Sequence, residues 1–173
     1  MDGKMTDNNP IIEAIKTRRS VRKYTEEPVS RELISIIVDC GRMAPSSKNI
    51  QPWEFVVVTD RDTLAQIAEL TDNGKFIADA SACIVVCGDP KSRSVYLDGA
   101  AATENMLLAM HALGLAGCWV QAYEKPYEKT IQNLLGIPEG LVLVSLFSVA
   151  YAAKQTPAPK KRSLDEVLHW ERF

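Results

Sequence analysis

The sequence lacks long apolar runs, a secretion signal and an excess of positive charge, and each absence excludes a class of protein. No run approaches the ~18 consecutive apolar residues that span a membrane. Residues 1–9 are polar and carry no apolar core of the kind that directs secretion, so we expect a cytoplasmic protein. The 20 Lys and Arg residues stand against 22 Asp and Glu, a net charge of −2, which predicts no general attraction to nucleic acid or anionic membranes.

Cysteine is scarce as well. Four cysteines are scattered through apolar segments: Cys40, Cys83, Cys87 and Cys118. A chain of this length buries about 70% of its unfolded surface and needs no disulfides, so we interpret them as reduced, buried thiols. Cys83 and Cys87 lie in a run typical of a buried strand, and only His111 and His169 are available as imidazole ligands. Structural zinc needs four ligands, so we predict no metal site.

The usual catalytic motifs are also missing. The chain has no Walker A sequence, no Gly-x-Gly-x-x-Gly after a strand and no Gly-x-Ser-x-Gly elbow. His111 lies among apolar residues of a predicted helix, where packing is a more ordinary role than proton transfer. Asp98 and Glu104, on the same helix, have no obvious partner carboxylate. Such a chain, poor in acid–base groups but rich in amides and cations, is typical of an enzyme whose cofactor supplies the chemistry.

Hydrophobic periodicity predicts helices and strands that alternate irregularly. The predicted helices cover residues 10–17, 31–43, 60–70, 94–113 and 126–135, with a further turn or two within 163–170. The predicted strands cover residues 53–59, 82–87, 115–122 and 141–151. We find no repeat and no linker, so the pattern favours one α+β domain over residues 1–173, a sheet wrapped by helices.

Cations gather at two places in this acidic chain. Arg18, Ser20 and Arg22 are spaced by two, so an extended segment would point two guanidinium groups and a hydroxyl the same way. In a helix, Arg18 and Arg22 would still share a face, and either geometry suits a phosphate group. Residues 160–162 form a second basic cluster. Charge alone favours the simpler interpretation, two solvated charge runs or interface salt bridges.

The segment 45–53 contains two hydroxyls, two amides and two prolines in nine residues. Each amide offers both a donor and an acceptor, which suits the edge of a heterocycle, and prolines hold a loop in shape. An ordinary turn before a strand, rich in Ser and Asn, accounts for the same composition.

Taken together, these segments resemble the nitroreductase family of FMN-dependent oxidoreductases. Four motifs occur in the family's order: Arg18–Tyr24 resembles its opening Arg-(Arg/His)-Ser-x-(Arg/Lys) segment, Ala44–Phe55 its second signature, Leu113–Trp119 its third, and Lys160–Arg162 its C-terminal Lys-x-Arg. Longer members carry extra helices over the flavin where this chain has only residues 88–93, so we expect a more open substrate pocket.

The resemblance implies an α+β fold with a central, mainly antiparallel sheet flanked by helices, in a homodimer with FMN at each of two subunit interfaces. It implies an FMN-dependent oxidoreductase that takes hydride from NADH or NADPH and passes electrons to nitroaromatic, quinone or flavin acceptors. The mechanism would be ping-pong, with no side chain as nucleophile. The alternative is a flavin-binding carrier or sensor module without pyridine-nucleotide turnover.

The resemblance also implies the residues that hold the phosphate and ribityl parts of FMN. The phosphate and nearby ribityl oxygens would be bound by Arg18, Ser20, Lys160 and Arg162. Arg19 would lie along the ribityl chain, and Arg22 would approach the N1/C2 carbonyl edge of the flavin. A cation there stabilises the charge that reduction places on that edge.

Further positions are assigned to the flavin ring by the same resemblance. Three residues that the partner subunit would contribute line the cofactor: Pro45, Ser46 and Ser47. Asn49 and Gln51 belong to the same signature and are assigned to the flavin neighbourhood. Asn73 would meet the pyrimidine edge, and backbone N–H groups around Gly117 and Cys118 would face flavin N5.

Overall fold

The computed structural model describes residues 9–173, and the polar segment 1–8 considered above lies outside them. Within the described residues, the helices are α1 (Pro10–Thr17), α2 (Arg31–Arg42), α3 (Arg61–Leu70), α4 (Val95–Ala112) and α5 (Glu128–Leu135). The strands are β1 (Trp53–Val58), β2 (Ala82–Gly88), β3 (Trp119–Gln121) and β4 (Val142–Val149). No helix within residues 9–173 combines the length and apolar character that crossing a membrane requires.

The first two helices begin where the sequence predicts, because a side chain at each start accepts hydrogen bonds from the first turn. The Asn9 side chain accepts from the N–H groups of Ile11 and Ile12 at the start of α1. The Ser30 hydroxyl accepts from the Leu33 N–H at 3.3 Å at the start of α2. These caps satisfy N–H groups that have no partner inside the helix, so local sequence determines both starts.

The four strands form one antiparallel sheet in the order β1-β2-β4-β3. Both central strands are buried along nearly their whole length, because α3 and α5 cover one face of the sheet and α2 and α4 cover the other. Along β2, Cys83 and Val85 pack into the first layer, while Ile84 and Val86 pack into the second. The prediction of an α+β fold with a flanked antiparallel sheet is confirmed.

The third strand is shorter than the predicted range of 115–122. Before it, the chain forms single bridges with two different neighbours, between Gly117 and Ser20 and between Ala116 and Ala150. The Gly117 carbonyl accepts from the Val21 N–H at 2.9 Å, and the Cys118 N–H donates to the side-chain hydroxyl of Ser148 at 3.0 Å. A Cβ at position 117 would lie 1.8 Å from the Ser148 carbonyl oxygen. Only glycine permits this approach of two backbones, and the approach interrupts the regular ladder.

The four cysteines are free thiols, of which Cys40 is half-buried and the other three are buried. Cys83 and Cys87 lie on β2 in the core. Burial raises the pKa of Cys83 to about 12 and that of Cys87 to about 11. Thiols so far from ionisation are poor nucleophiles and act as small packing groups.

The tail after β4 contains one hydrogen-bonded turn where the sequence predicts a turn or two within 163–170. The N–H groups of Val167 and Leu168 donate to the Leu164 carbonyl at 3.0 and 2.9 Å. From residue 157 onward every side chain of the tail is exposed. The tail therefore lies on the surface of its own chain.

Candidate functional site

The cationic segment, residues 18–22, runs extended beside the end of the sheet. The Val21 N–H donates to the Gly117 carbonyl, and further along the Thr25 N–H donates to the Tyr151 carbonyl at 3.0 Å. Side chains of an extended segment alternate in direction, so Arg18, Ser20 and Arg22 share one side. The spacing allows an extended or a helical geometry for this segment, and the structure shows the extended one.

A cavity of about 370 Å³ lies against the cationic segment. Seven of its lining residues carry polar or cationic groups suited to an anion: Lys16, Arg18, Arg19, Ser20, Arg22, Thr156 and Lys161. The tail closes the cavity through Thr156, Pro157 and Pro159. Two basic clusters that are far apart in the sequence therefore meet at one place.

The tail lysine at this cavity is Lys161, whereas the resemblance assigns Lys160 and Arg162. Lys160 and Arg162 flank it as exposed residues of the tail. The assignment of the two outer members to the phosphate stays a prediction. No sequence signal separates the three, because the direction of each side chain depends on how the tail crosses the cationic segment.

The two neighbouring arginines of the segment have different partners. Arg18 Nε lies 3.6 Å from Glu104 Oε1 on α4, a pair that remains partly open to solvent. Arg19 Nη1 donates to the Lys16 and Arg18 carbonyls at 2.9 and 2.8 Å, which satisfies carbonyl groups at the end of α1. Arg18 thus keeps donors for a ligand, while Arg19 also holds the backbone that presents them.

Arg22 is held by an aromatic ring that the sequence analysis did not identify. Its guanidinium carbon lies 5.7 Å from the centroid of the Phe76 ring, within the range of a cation–π contact. Phe76 lies on a 3-10 turn, Lys75–Asp79, that begins two residues after Asn73. Asn73 itself is exposed in the connection that leads into this turn. A turn this short has no periodicity that the sequence could display.

A buried hydroxyl pair joins the cationic segment to the sheet. The Tyr24 hydroxyl donates to the Val21 carbonyl at 2.6 Å and lies 2.6 Å from Ser148 Oγ. The same Ser148 oxygen accepts from the Cys118 N–H. Burial raises the pKa of Tyr24 well above its ordinary range. The Cys118 N–H, one of the groups assigned to flavin N5, therefore has a partner inside the chain.

The polar loop, residues 45–51, has an unusual backbone. Lys48, Asn49 and Gln51 adopt positive φ angles of 52°, 56° and 53°. The Gln51 N–H donates to Ser46 Oγ at 2.9 Å, and the Ser47 N–H donates to Asp98 Oδ1 at 3.3 Å. Pro45, Ser47, Asn49 and Gln51 are exposed, and Ser46 is half-buried. The loop therefore presents its polar groups outward, and hydrogen bonds hold its strained backbone in place.

The polar loop and the cationic segment contact α4 at different positions. The loop contacts Asp98 near the helix start, whereas Arg18 of the segment pairs with Glu104, six residues further along. These two helix positions are separated by about 9 Å at the usual rise per residue. Within residues 9–173, no hydrogen bond or ion pair joins the loop to the segment. The two predicted parts of the site are therefore held separately within one chain.

Residues 15–79 and 71–151 match the sequence model described as "Nitroreductase family". The chain belongs to the nitroreductase family. The resemblance recognised from the four sequence motifs is confirmed by this match.

Individual nitroreductase relatives support the same assignment. A protein named "Putative NADH dehydrogenase/NAD(P)H nitroreductase" from Archaeoglobus fulgidus is 42% identical over 146 residues, which are 81% of this chain and 84% of that protein. A crystal structure from Parabacteroides distasonis, under the same name, has a TM-score of 0.90 at 34% identity and covers 96% of this chain and 100% of that one. An "FMN-dependent Nitroreductase" from Clostridium difficile has a TM-score of 0.88 at 30% identity, over 94% and 99%.

Proposed function

We propose that this nitroreductase is an FMN-dependent oxidoreductase that takes hydride from NADH or NADPH. Its acceptors would be nitroaromatic compounds, quinones or flavins, exchanged with the donor at one site in a ping-pong sequence. The observation that carries the proposal is the cavity where Arg18, Ser20, Arg22 and Lys161 converge in a nitroreductase fold. Relatives named as FMN-dependent or as NAD(P)H-using enzymes support the choice of cofactor and donor.

The residues around the cavity fit a phosphate ester. Guanidinium groups bind phosphate oxygens through paired, charge-assisted hydrogen bonds, and a serine hydroxyl adds one more donor. Glu104 offsets only part of the positive charge, since it pairs with Arg18 through a single partly exposed contact. We therefore assign the FMN phosphate to Arg18, Ser20 and the tail cluster at 160–162.

FMN, when bound, supplies the redox chemistry, and the protein supplies position and charge. Arg22 would place a fixed cation at the pyrimidine edge of the flavin, where it stabilises the charge of the reduced form and raises its potential. The Phe76 ring limits where the Arg22 guanidinium can go. Arg22→Ala is then expected to lower the flavin potential while it retains more FMN than Arg18→Ala does.

A second copy of the chain would complete the site. The polar loop faces outward, and within residues 9–173 no hydrogen bond joins it to the cationic segment, so we assign its contact with FMN to the site of the partner subunit, as the family resemblance implies. Large apolar side chains that a single chain leaves exposed support a dimer: Ile11, Ile15, Leu97, Leu164 and Trp170. Leu97 and Trp170 are 76% and 75% exposed, as expected of residues that another chain covers.

The first experiment is an anaerobic visible spectrum of the purified protein before and after addition of NADH and then NADPH. We expect a flavin spectrum that bleaches with at least one of the two donors. A flavin spectrum that neither donor bleaches would favour the carrier or sensor alternative. A colourless protein that does not bind added FMN would overturn the proposal.

Mixing two defective chains tests whether each site draws on both subunits. Neither Arg18→Ala nor the double variant Ser46→Ala/Ser47→Ala is expected to bind FMN normally alone. In a mixed dimer, one site would carry both defects and the other none, so refolding the two together should restore tight FMN binding. If each chain built its own site, the mixture would bind no better than its components.

A further inference from the structure

Asp98 is a buried acidic residue that the proposed function does not use. Its side chain, in the first turn of α4, leaves the residue only 7% exposed. One carboxylate oxygen, Oδ1, accepts from the Ser47 N–H of the polar loop. The other, Oδ2, is buried and has no hydrogen-bond partner within residues 9–173. A buried carboxylate with one oxygen unpaired destabilises the chain and calls for an explanation.

A contact from outside the polar loop helps to keep its shape. Three of its residues other than glycine adopt the left-handed conformation, which side chains with a Cβ adopt only at an energetic cost. Its internal hydrogen bonds run from the Asn49 and Ile50 N–H groups to the Ser46 and Ser47 carbonyls, at 3.0 Å each, and from the Gln51 N–H to Ser46 Oγ. Among the described residues, the hydrogen bond from Ser47 to Asp98 is the one that ties the loop to α4.

We propose that Asp98 is a positioning residue that holds the polar loop in the conformation that receives FMN. The assignment of the loop to FMN rests on the proposed function, whereas the effect of Asp98 on the loop does not. The acceptor at Oδ1 binds the Ser47 N–H and so sets where the Ser46 and Ser47 side chains lie. The ordering of the loop is completed before the ligand arrives, which lowers the entropy lost on binding.

The test compares Asp98→Ala with Asp98→Asn. Asparagine keeps an oxygen acceptor for the Ser47 N–H, while alanine removes it. We expect Asp98→Ala to weaken FMN binding about tenfold and to accelerate hydrogen exchange of the loop amides in the protein without FMN. In Asp98→Asn, the FMN affinity and the exchange rates of the loop amides should stay close to those of the wild type. If Asp98→Asn is as impaired as Asp98→Ala, or if Asp98→Ala changes neither quantity, the positioning role is wrong.

A second pair of variants tests the same hydrogen bond from the loop side. Ser47→Pro removes the N–H donor, and the preceding Ser46, at φ −139° and ψ 154°, already has a backbone that proline tolerates. Ser47→Ala keeps the N–H and removes only the hydroxyl. We expect Ser47→Pro to loosen the rest of the loop and to weaken FMN binding more than Ser47→Ala does. Equal effects of the two would contradict the proposal, even if Asp98→Ala did not fold.

Asp60→Ala is the matched control, because the Asp60 carboxylate also accepts from a backbone N–H, that of Thr63 at 2.9 Å, far from the polar loop. It should leave FMN binding and the exchange of the loop amides unchanged. The two proposals fail in different ways. If the wild type binds no FMN, the proposed function is wrong, and the exchange measurement still decides the role of Asp98.

Discussion

The cationic segment and the polar loop are assigned to the same cofactor, yet they are built in opposite ways. The segment is held by backbone pairing to the end of the sheet, and its cavity exists within one chain. Within residues 9–173 the loop has no sheet partner, and its three left-handed residues are held by the Ser46 and Asp98 side chains and by two hydrogen bonds of the loop's own backbone. One chain thus forms by itself the cavity that we assign to the phosphate, whereas we assign the loop to the site of a partner.

The largest expected effect breaks the backbone pairing that holds the cationic segment. Gly117→Ala would place a Cβ against the Ser148 carbonyl, so the strands must separate. We expect a loss of about 3 kcal/mol of unfolding free energy, measured by urea denaturation. The neighbouring change Cys118→Ala keeps the backbone path and should cost about 1 kcal/mol. A stable Gly117→Ala variant would contradict this account of the segment.

The next effect separates the ligand role of the segment from its structural role. Arg18→Ala is expected to weaken FMN binding by about 2 kcal/mol, since it removes charge-assisted hydrogen bonds to phosphate. Its fold should remain stable because the ion pair that Arg18 forms with Glu104 is partly exposed and contributes little to stability. Glu104→Gln is the control: it releases Arg18 and should tighten FMN binding slightly. Isothermal titration of each variant, prepared without FMN, measures its FMN affinity.

A smaller effect distinguishes the structure from the sequence motif at the tail. Lys161 lines the cavity, whereas Lys160 and Arg162 are the residues that the family resemblance assigns. We expect Lys161→Ala to weaken FMN binding by about 1 kcal/mol, less at high salt, because a lysine contact with phosphate is screened by ions. Lys160→Ala is the control from the same cluster. A larger loss in Lys160→Ala would show that the tail of the dimer presents the outer residues.

An effect of similar size concerns the hydroxyl pair beneath the segment. Because burial raises the pKa of Tyr24, the folded state keeps this phenol neutral while the unfolded chain ionises it near pH 10. Its contribution to stability is thus complete below about pH 10 and is lost as the pH rises further. Tyr24→Phe should lose about 1 kcal/mol at neutral pH and show a shallower decline above pH 10. Denaturation at a series of pH values measures the slope, and equal slopes would contradict the prediction.

What the sequence could predict was local. The side chains of Asn9 and Ser30 mark the starts of α1 and α2 because a cap depends on residues within one helical turn. The sheet was visible because the two continuous apolar runs have to be covered on both faces. The four motifs identified the family and placed most of the cations that line the cavity.

What the sequence could not predict depended on contacts between distant segments. The shortened β3 follows from the approach of Gly117 to Ser148, and the position of Lys161 at the cavity follows from the path of the tail. Phe76 lies on a turn too short to have a period, so its contact with Arg22 was not visible. Asp98 was noticed as a carboxylate without a partner, but its link to Ser47 spans 51 residues.

The close approach at Gly117 also bears on how the sequences of relatives are compared. A glycine there is required by the neighbouring Ser148 carbonyl, whether or not a ligand is ever bound. Its presence in a distant relative therefore reports a shared architecture. The residues that would report a shared ligand are those assigned to it, the half-buried Arg18 and the exposed Ser20, whose side chains the architecture does not require. A chain that keeps the glycine but has lost both would be a nitroreductase in shape alone.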